Sequence, residues 1–438
     1  MKSILQSILA NLARRVLRKY KPVIVGITGS VGKTTTRTAV FTVLSKKYRV
    51  RTAEKNYNNE IGLPLMILGI SYRGRNIVKW AADIARTYIN LVLRTSAYPE
   101  VLVLEYGIDR PGDMDHLLSI ARPNIAVVTA IGDVPAHIEF FKDPEDAANE
   151  KSKLVTALPA DGFAILNHDD YAVYDMNEKI KAHVATFGFE EHAELRIVNY
   201  ELRITKDAEL GDVPAGIAFK LQQNGSTVPV RLNGFFGKPA AYATAAAAGV
   251  GLALGMNLVE ISEALCPYQA PPGRMRLLRG IKNSFILDDT YNAAPEAMRS
   301  ALDTLDTLPS TRKIAVLGDM LEIGRYTEQV HRTIGDKAAQ FVDVLVTVGA
   351  RAKFIADEAL SGGVEHKQGH LSREKVLSFD DPVEAGRFLD RVIKPGDLIL
   401  VKGSQYMRME KVVEEIMAHP ERASELLVRQ EEYWKNTL

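Results

Sequence analysis

Apolar runs of four to six residues recur along the chain, separated by stretches whose apolar positions fall three and four apart. Val23–Thr28, Val101–Glu105, 125–129 and 163–166 are nearly unbroken and mostly β-branched or leucine, which is how strands covered on both faces read. Their alternation with helical patterns predicts a mainly parallel sheet between two layers of helices. From 195 to 232 the period changes to two, with a turn signal at Asn224-Gly225, and this predicts a small antiparallel β insert. An alanine-rich helical stretch over 240–254 suits close packing on a sheet. Ala270-Pro-Pro-Gly273 then breaks the pattern as a hinge. Beyond it the alternation restarts, with strands expected at 284–288, 313–317, 344–348 and 398–401, and predicts a second doubly wound α/β domain. The expected organisation is a helix over 1–20, a central domain over 21–270 and a C-terminal domain over 271–438.

Two other amphipathic stretches are basic. Residues 1–20 place Ile4, Leu5, Ile8, Leu9, Leu12 and Val16 at helical spacing, with Lys2, Arg14, Arg15, Arg18 and Lys19 around them. Residues 73–94 repeat the design with Ile77, Val78, Trp80, Ile84, Tyr88, Ile89, Leu91, Val92 and Leu93 among Arg73, Arg75, Lys79, Arg86 and Arg94. Each fits a helix that covers its own domain, and the two together also fit one patch lying on anionic lipid. The first has no small-residue cleavage site and does not read as a signal peptide. Composition narrows the setting. A net charge of +1 gives no general pull toward nucleic acid, and the lone Cys266 excludes an intramolecular disulfide. The nine histidines lack zinc spacing, and no apolar run reaches the length of a membrane span. A cytoplasmic monomer is expected, with peripheral contact at the inner face of the plasma membrane as the variant the basic helices allow.

Chemistry enters where the first strand ends. Val23–Thr28 leads through Gly29-Ser-Val-Gly32 into a helix start at Lys33-Thr-Thr-Thr36. The backbone N–H groups from Gly29, Ser30, Val31 and Gly32 to Thr34 and Thr35 form a cradle for phosphates at a helix N-terminus. Lys33 can neutralise the β/γ-phosphates, and the Thr34 hydroxyl can face Mg²⁺. The spacing is Gly26-x-x-Gly29-x-x-Gly32-Lys33-Thr34, with Ile27 where the strict motif has glycine.

Four further segments accompany this loop in order: Asn58-Asn-Glu-Ile-Gly-Leu-Pro-Leu65, Asp288-Asp-Thr-Tyr-Asn-Ala-Ala-Pro295, Leu317-Gly-Asp-Met-Leu-Glu-Ile-Gly324, and Val401-Lys-Gly-Ser404 with Met407-Arg-Met-Glu410. On them the chain resembles the Mur ligase family, and within it the enzymes that add D-alanyl-D-alanine to a UDP-N-acetylmuramoyl-tripeptide. The resemblance implies an ATP-dependent amide ligase of peptidoglycan precursor synthesis. ATP would convert a carboxylate to an acyl phosphate, and an amine would displace the phosphate. It implies a central ATPase domain, a C-terminal Rossmann-like domain and two Mg²⁺ sites. By resemblance, Thr34 and Glu105 hold one Mg²⁺, and His137 in Pro135-Ala-His-Ile-Glu-Phe140 supports the second. Lys151 in Ala148-Asn-Glu-Lys-Ser-Lys153 corresponds to a carbamylated, metal-binding lysine, with Lys153 the weaker candidate. Arg274 is implied to reach the nucleotide phosphates, and the loop carrying Asp289, Tyr291 and Asn292 to face ATP. Asn58 and Asn59 are assigned to the substrate, and Asp319, Glu322, Lys402 and Ser404 to the incoming dipeptide or the closing acyl phosphate.

The departures from the family pattern matter as well. Only the basic helix precedes the phosphate loop, where the family carries a UDP-gripping domain, so UDP recognition is expected to be minimal or supplied elsewhere. The connection from Tyr72 to Pro99 is longer than usual. The family's Thr-Asn-Ile-Gly is Thr129-Ala-Ile-Gly132, with Asp133 and Val134 inserted after it. Its His-Asn-x-x-Asn is Pro239-Ala-Ala-Tyr-Ala243, which removes amide contacts to the nucleotide, and Gln405 replaces an arginine. Three functions stay open: the D-alanyl-D-alanine-adding ligase, the same mechanism on another carboxylate such as a lipid-linked one, and a nucleotide-binding scaffold. The joint presence of Lys33, Glu105, His137 and Lys151 speaks against the scaffold.

Overall fold

The computed structural model describes residues 2–53, 57–74, 76–93, 98–207, 211–361 and 371–435. Its first sheet runs in the order Val50–Thr52, Val101–Glu105, Val23–Thr28, Ile125–Val128, Phe163–Asn167, His183–Gly188, Leu195–Asp207, Gly211–Gln223, Ser226–Asn233. The first seven of these strands are mutually parallel, and Gly211–Gln223 then pairs antiparallel with both of its neighbours. The period-two segment is antiparallel, as its alternation predicts, and is joined to the same sheet. Phe187 pairs with Leu195, so its three long strands extend the parallel sheet to its edge. The change of period is a change of cover. Val101–Glu105 is buried at every position, whereas Ser226–Asn233 alternates between core and solvent.

Helices close both faces. On one side Lys33–Leu44 and the alanine-rich Lys238–Ala253 pack together, and Ala245 to Ala248 are all fully buried. A Cβ on Gly249 would sit 2.9 Å from Ile165 Cγ2, so the small residues let this helix lie close on the sheet. On the other side lie Gly62–Leu68, Asp113–Ile120 and Pro144–Thr156. The second sheet has the order Arg276–Arg279, Phe285–Asp289, Asp397–Lys402, Arg312–Gly318, Val344–Val348, Val376–Phe379. All but its first strand are parallel.

The two basic helices part company. Lys2–Tyr20 buries Leu9, Leu12, Ala13 and Val16, so it covers its own domain, packed on the 62–68 helix. Ile77–Leu93 buries only Trp80 and Thr87 and leans on the first helix along one edge. There Arg15 Nη1 donates to Tyr88 Oη at 3.1 Å and Lys19 Nζ to the Asn90 carbonyl at 3.1 Å. Arg75, Arg94 and the Lys2 side chain lie outside the described part. Among the described residues no helix is long and apolar enough to cross a membrane.

Candidate active site

The phosphate loop forms because its glycines adopt backbone that other residues resist. Gly29 has φ +140° and Gly32 φ +87°, and a Cβ on Gly29 would lie 2.1 Å from Thr129 Oγ1. The neighbouring strand end pins the loop: Ser30 N–H donates to the Ala130 carbonyl at 2.7 Å, and Thr129 Oγ1 to the Val31 carbonyl at 2.6 Å. Lys33 Nζ folds back on the Gly29 and Ser30 carbonyls, at 2.5 and 3.3 Å. Burial lowers its pKa, against the opposing pull of Glu105. The Ser30 hydroxyl is buried without a hydrogen-bond partner.

Two carboxylates and a second lysine approach this loop. Glu105 ends its strand buried, with Arg37 of the phosphate-loop helix 3.1 Å from Oε1. Asp109 follows on the next loop, where Lys33 and Lys151 both sense its charge. Lys151 is buried on Pro144–Thr156 and makes no ion pair among the described residues; its ammonium lies 5.8 Å from the Phe141 ring centroid. Burial first, and then the Lys33 charge, lower its pKa to about 7. Lys153, two residues on, points outward and pairs with Asp115 and Glu150 at 2.6 and 2.7 Å. Helical spacing thus separates the two candidates: one faces the loop, the other the surface.

The second sheet reaches the same place. Arg274 follows Gly273 (φ +67°) and donates from Nη2 to Thr34 Oγ1 at 3.2 Å, with its guanidinium 3.9 Å from the Tyr291 ring centroid. Glu322 brings Oε2 to 2.7 Å from His137 Nδ1, while His137 Nε2 stands 3.5 Å from Asp109. His137 accordingly joins the two units, with both ring nitrogens facing carboxylates. The other C-terminal candidates are engaged among themselves. Lys402 Nζ pairs with Asp289 Oδ2 at 2.6 Å and donates to the Asn292 carbonyl. Asn292 Oδ1 accepts from Gln405 N–H, and Asp319 Oδ1 from Ala352 N–H at 2.7 Å. Ser404 Oγ bridges the Ala293 carbonyl and Leu321 N–H. In the central unit Asn58 packs on Gly107, whereas Asn59 Oδ1 caps the 62–68 helix through Ile61 and Gly62 N–H.

A cavity of about 570 Å³ opens from Val31 and Gly32 between the two units, bounded by Asn167, Asp170, Tyr242 and Glu296. Tyr242 Oη donates to Asp169 Oδ2 at 2.7 Å, at the helix start where this chain lacks the amides of the family pattern. Sequence reasoning passed over Arg37, Asp109, Asn167, Asp169 and Tyr242. The position of Asn167 at a parallel strand's C-terminal end was the available signal.

Two family models align with this architecture. "Mur ligase middle domain" matches residues 27–78 and 85–250, and "Mur ligase, glutamate ligase domain" matches 273–405. The chain belongs to the Mur ligase family. Similar proteins include the UDP-N-acetylmuramoyl-tripeptide--D-alanyl-D-alanine ligase of Bacillus subtilis, 27% identical over 94% of this chain and 79% of that protein. The ligase of the same name from Mycobacterium tuberculosis is 30% identical over 90% and 73%. The crystal structure of MurF ligase from Thermotoga maritima in complex with ADP superposes with a TM-score of 0.73 at 27% identity, covering 94% of this chain and 83% of that one. The family's Mg²⁺ fits the donors present. Glu105 and Thr34 offer hard oxygen donors beside a phosphate cradle, and among the described residues no group of three or more His, Cys, Asp or Glu is arranged to hold a metal ion by itself. That suits an ion that keeps waters and nucleotide oxygens as its remaining ligands.

Proposed function

We propose that the chain is an ATP-dependent amide ligase of peptidoglycan precursor synthesis that joins D-alanyl-D-alanine to a UDP-N-acetylmuramoyl-tripeptide. It would comprise a central ATPase domain over 21–270 and a C-terminal domain over 271–438. The observation that carries ligation, rather than nucleotide switching, is the buried Lys151 beside Lys33, with a pKa of about 7. A lysine largely neutral above that pH attacks CO₂, forming an N–C bond and releasing a proton. The carbamate so made would replace a repelling cation by an anion where a second Mg²⁺ would be held, with His137 in support once its ring turns from Glu322.

In this reading ATP lies with its base in the 570 Å³ cavity, against Tyr242 and Asn167, and its phosphates on residues 29–35. Mg²⁺ at Glu105 and Thr34 would neutralise phosphate charge. Lys33 leaves the Gly29 carbonyl for the β/γ-phosphates, and Arg274 crosses from the other unit to the same oxygens. A carboxylate oxygen of the tripeptide attacks the γ-phosphorus, and ADP leaves. The dipeptide amine then attacks the acyl carbon, a tetrahedral intermediate collapses and phosphate departs. Asn58 is placed to orient the carboxylate side. The loop carrying Asp289, Tyr291 and Asn292 would face ATP, and Lys402 and Ser404 would hold the opposing wall for the dipeptide.

ADP release with Mg²⁺-ATP, UDP-N-acetylmuramoyl-tripeptide and D-alanyl-D-alanine, omitting each in turn, tests this. Release that needs both substrates supports it; hydrolysis indifferent to the dipeptide contradicts it. The same ligation on a lipid-linked carboxylate is the second reading, favoured by the uncovered apolar face of Ile77–Leu93.

A further inference from the structure

Six of the sixteen exposed large apolar side chains among the described residues sit on one 17-residue helix, Ile77–Leu93. Ile77, Val78, Val92 and Leu93 are each at least two-thirds exposed, at 67, 79, 77 and 68%. At 100° per residue, these six positions and the three alanines between them fall on one arc of about 160° that holds no charged side chain. The helix is about 25 Å long at 1.5 Å per residue, so this is a continuous stripe. Tyr72 at one end, and Ile4 and Ile8 on the first helix, are further exposed apolar groups.

Charge selects what covers it. Lys79 and Arg86 follow the stripe along its polar edge, and Arg15, Arg18 and Lys19 come from the helix beside it. The only carboxylate on the helix, Asp83, is bound by Arg73 at 2.7 Å. Over 1–20 and 73–94 together the chain carries ten lysines and arginines against that single acid. A second copy of this face would set cation against cation. The Mur ligase middle-domain match is also interrupted at 79–84, within the first half of this helix.

We propose that Ile77–Leu93 is an interfacial helix that holds the enzyme on an anionic lipid surface, its apolar arc in the acyl boundary and its cations at the headgroups. The first helix serves as its support, lending Arg15, Arg18 and Lys19 while its own apolar side stays in the protein. This attachment does not depend on the ligase reading, because flotation measures the one and ADP release the other.

The test is flotation of the full chain with phosphatidylcholine vesicles and with vesicles half phosphatidylglycerol, in parallel with light scattering to read oligomeric state. Expected is binding to the anionic vesicles at least tenfold above the neutral ones, weakened by 0.5 M salt. Ile89→Glu with Val92→Glu should lower it at least tenfold, and Lys79→Glu with Arg86→Glu should remove the preference for anionic lipid. Both variants alter exposed residues and should keep the wild-type melting temperature. A folded wild type that fails to float with anionic vesicles overturns the proposal. So does a dimer that the Ile89/Val92 variant dissociates without any vesicle binding, which would assign the face to a second copy.

Discussion

The two sheets both present charged residues at the C-terminal ends of parallel strands, but they use them differently. At the central edge Lys33 rests on loop carbonyls, Lys151 has no ion-pair partner among the described residues, and the Ser30 hydroxyl is unsatisfied. At the C-terminal edge Asp289 and Lys402 neutralise each other, and Asp319 and Ser404 accept from the backbone. Groups left under-satisfied are available to a ligand, whereas groups already paired hold a shape. Chemistry is therefore assigned to the central edge and positioning to the other, with Arg274 and Glu322 as side chains that cross.

The largest expected effects fall on the central edge. Lys33→Ala should lower ligation by about 10³-fold or more, since a positioned cation on the transferring phosphoryl group is worth that much. Lys151→Ala should do likewise, and a short carboxylic acid added to the assay should restore part of the rate if the working group is an anion. The ordinary lysine value is 10.5, and burial brings Lys151 to about 7, so its carbamate-forming neutral amine accumulates as pH rises through 7. Wild-type activity in limiting bicarbonate should accordingly fall below pH 7 and recover on adding bicarbonate, while the acid-rescued Lys151→Ala variant should lack that bicarbonate dependence. Arg274→Ala should cost about 10²–10³-fold in kcat/KM with the melting temperature kept. A stability loss instead would make it a structural clasp.

How legible all this was depended on covering. Strands buried on both faces, such as Val101–Glu105, announce themselves as unbroken apolar runs. His183–Gly188 does not stand out because threonine, alanine and glycine dilute its run, and Leu195–Asp207 reads with period two because it belongs to the antiparallel end of the sheet, which has one wet face. The phosphate loop was readable because its backbone needs glycine at fixed positions. Arg37 and Asp109 were not, since an arginine on a helix and an aspartate in a loop acquire meaning only from the neighbours that folding brings. Lys151 and Lys153 could be ranked only by resemblance until burial set them apart.

Smaller effects should mark the positioning edge. Lys402→Met would leave Asp289 facing a largely buried site without its cation, and should cost about 3–5 kcal/mol of stability. In the protein that remains folded, the loss of ligation should stay well below that of Lys33→Ala. Chemical denaturation alongside ADP release separates the two. Lys153→Ala should be the mildest, about 1 kcal/mol or less in stability and less than threefold in rate. A collapse of activity there would exchange the roles of the two lysines.

The central claim is that a carboxylate meets the γ-phosphate of ATP at the Lys33 edge before any amine arrives. Oxygen-18 placed in the acceptor carboxylate tests it most directly, read by mass spectrometry of the phosphate released during ligation. One labelled oxygen should appear in each phosphate formed by the wild type. Ligation that releases unlabelled phosphate would contradict the acyl-phosphate route and the site built around it.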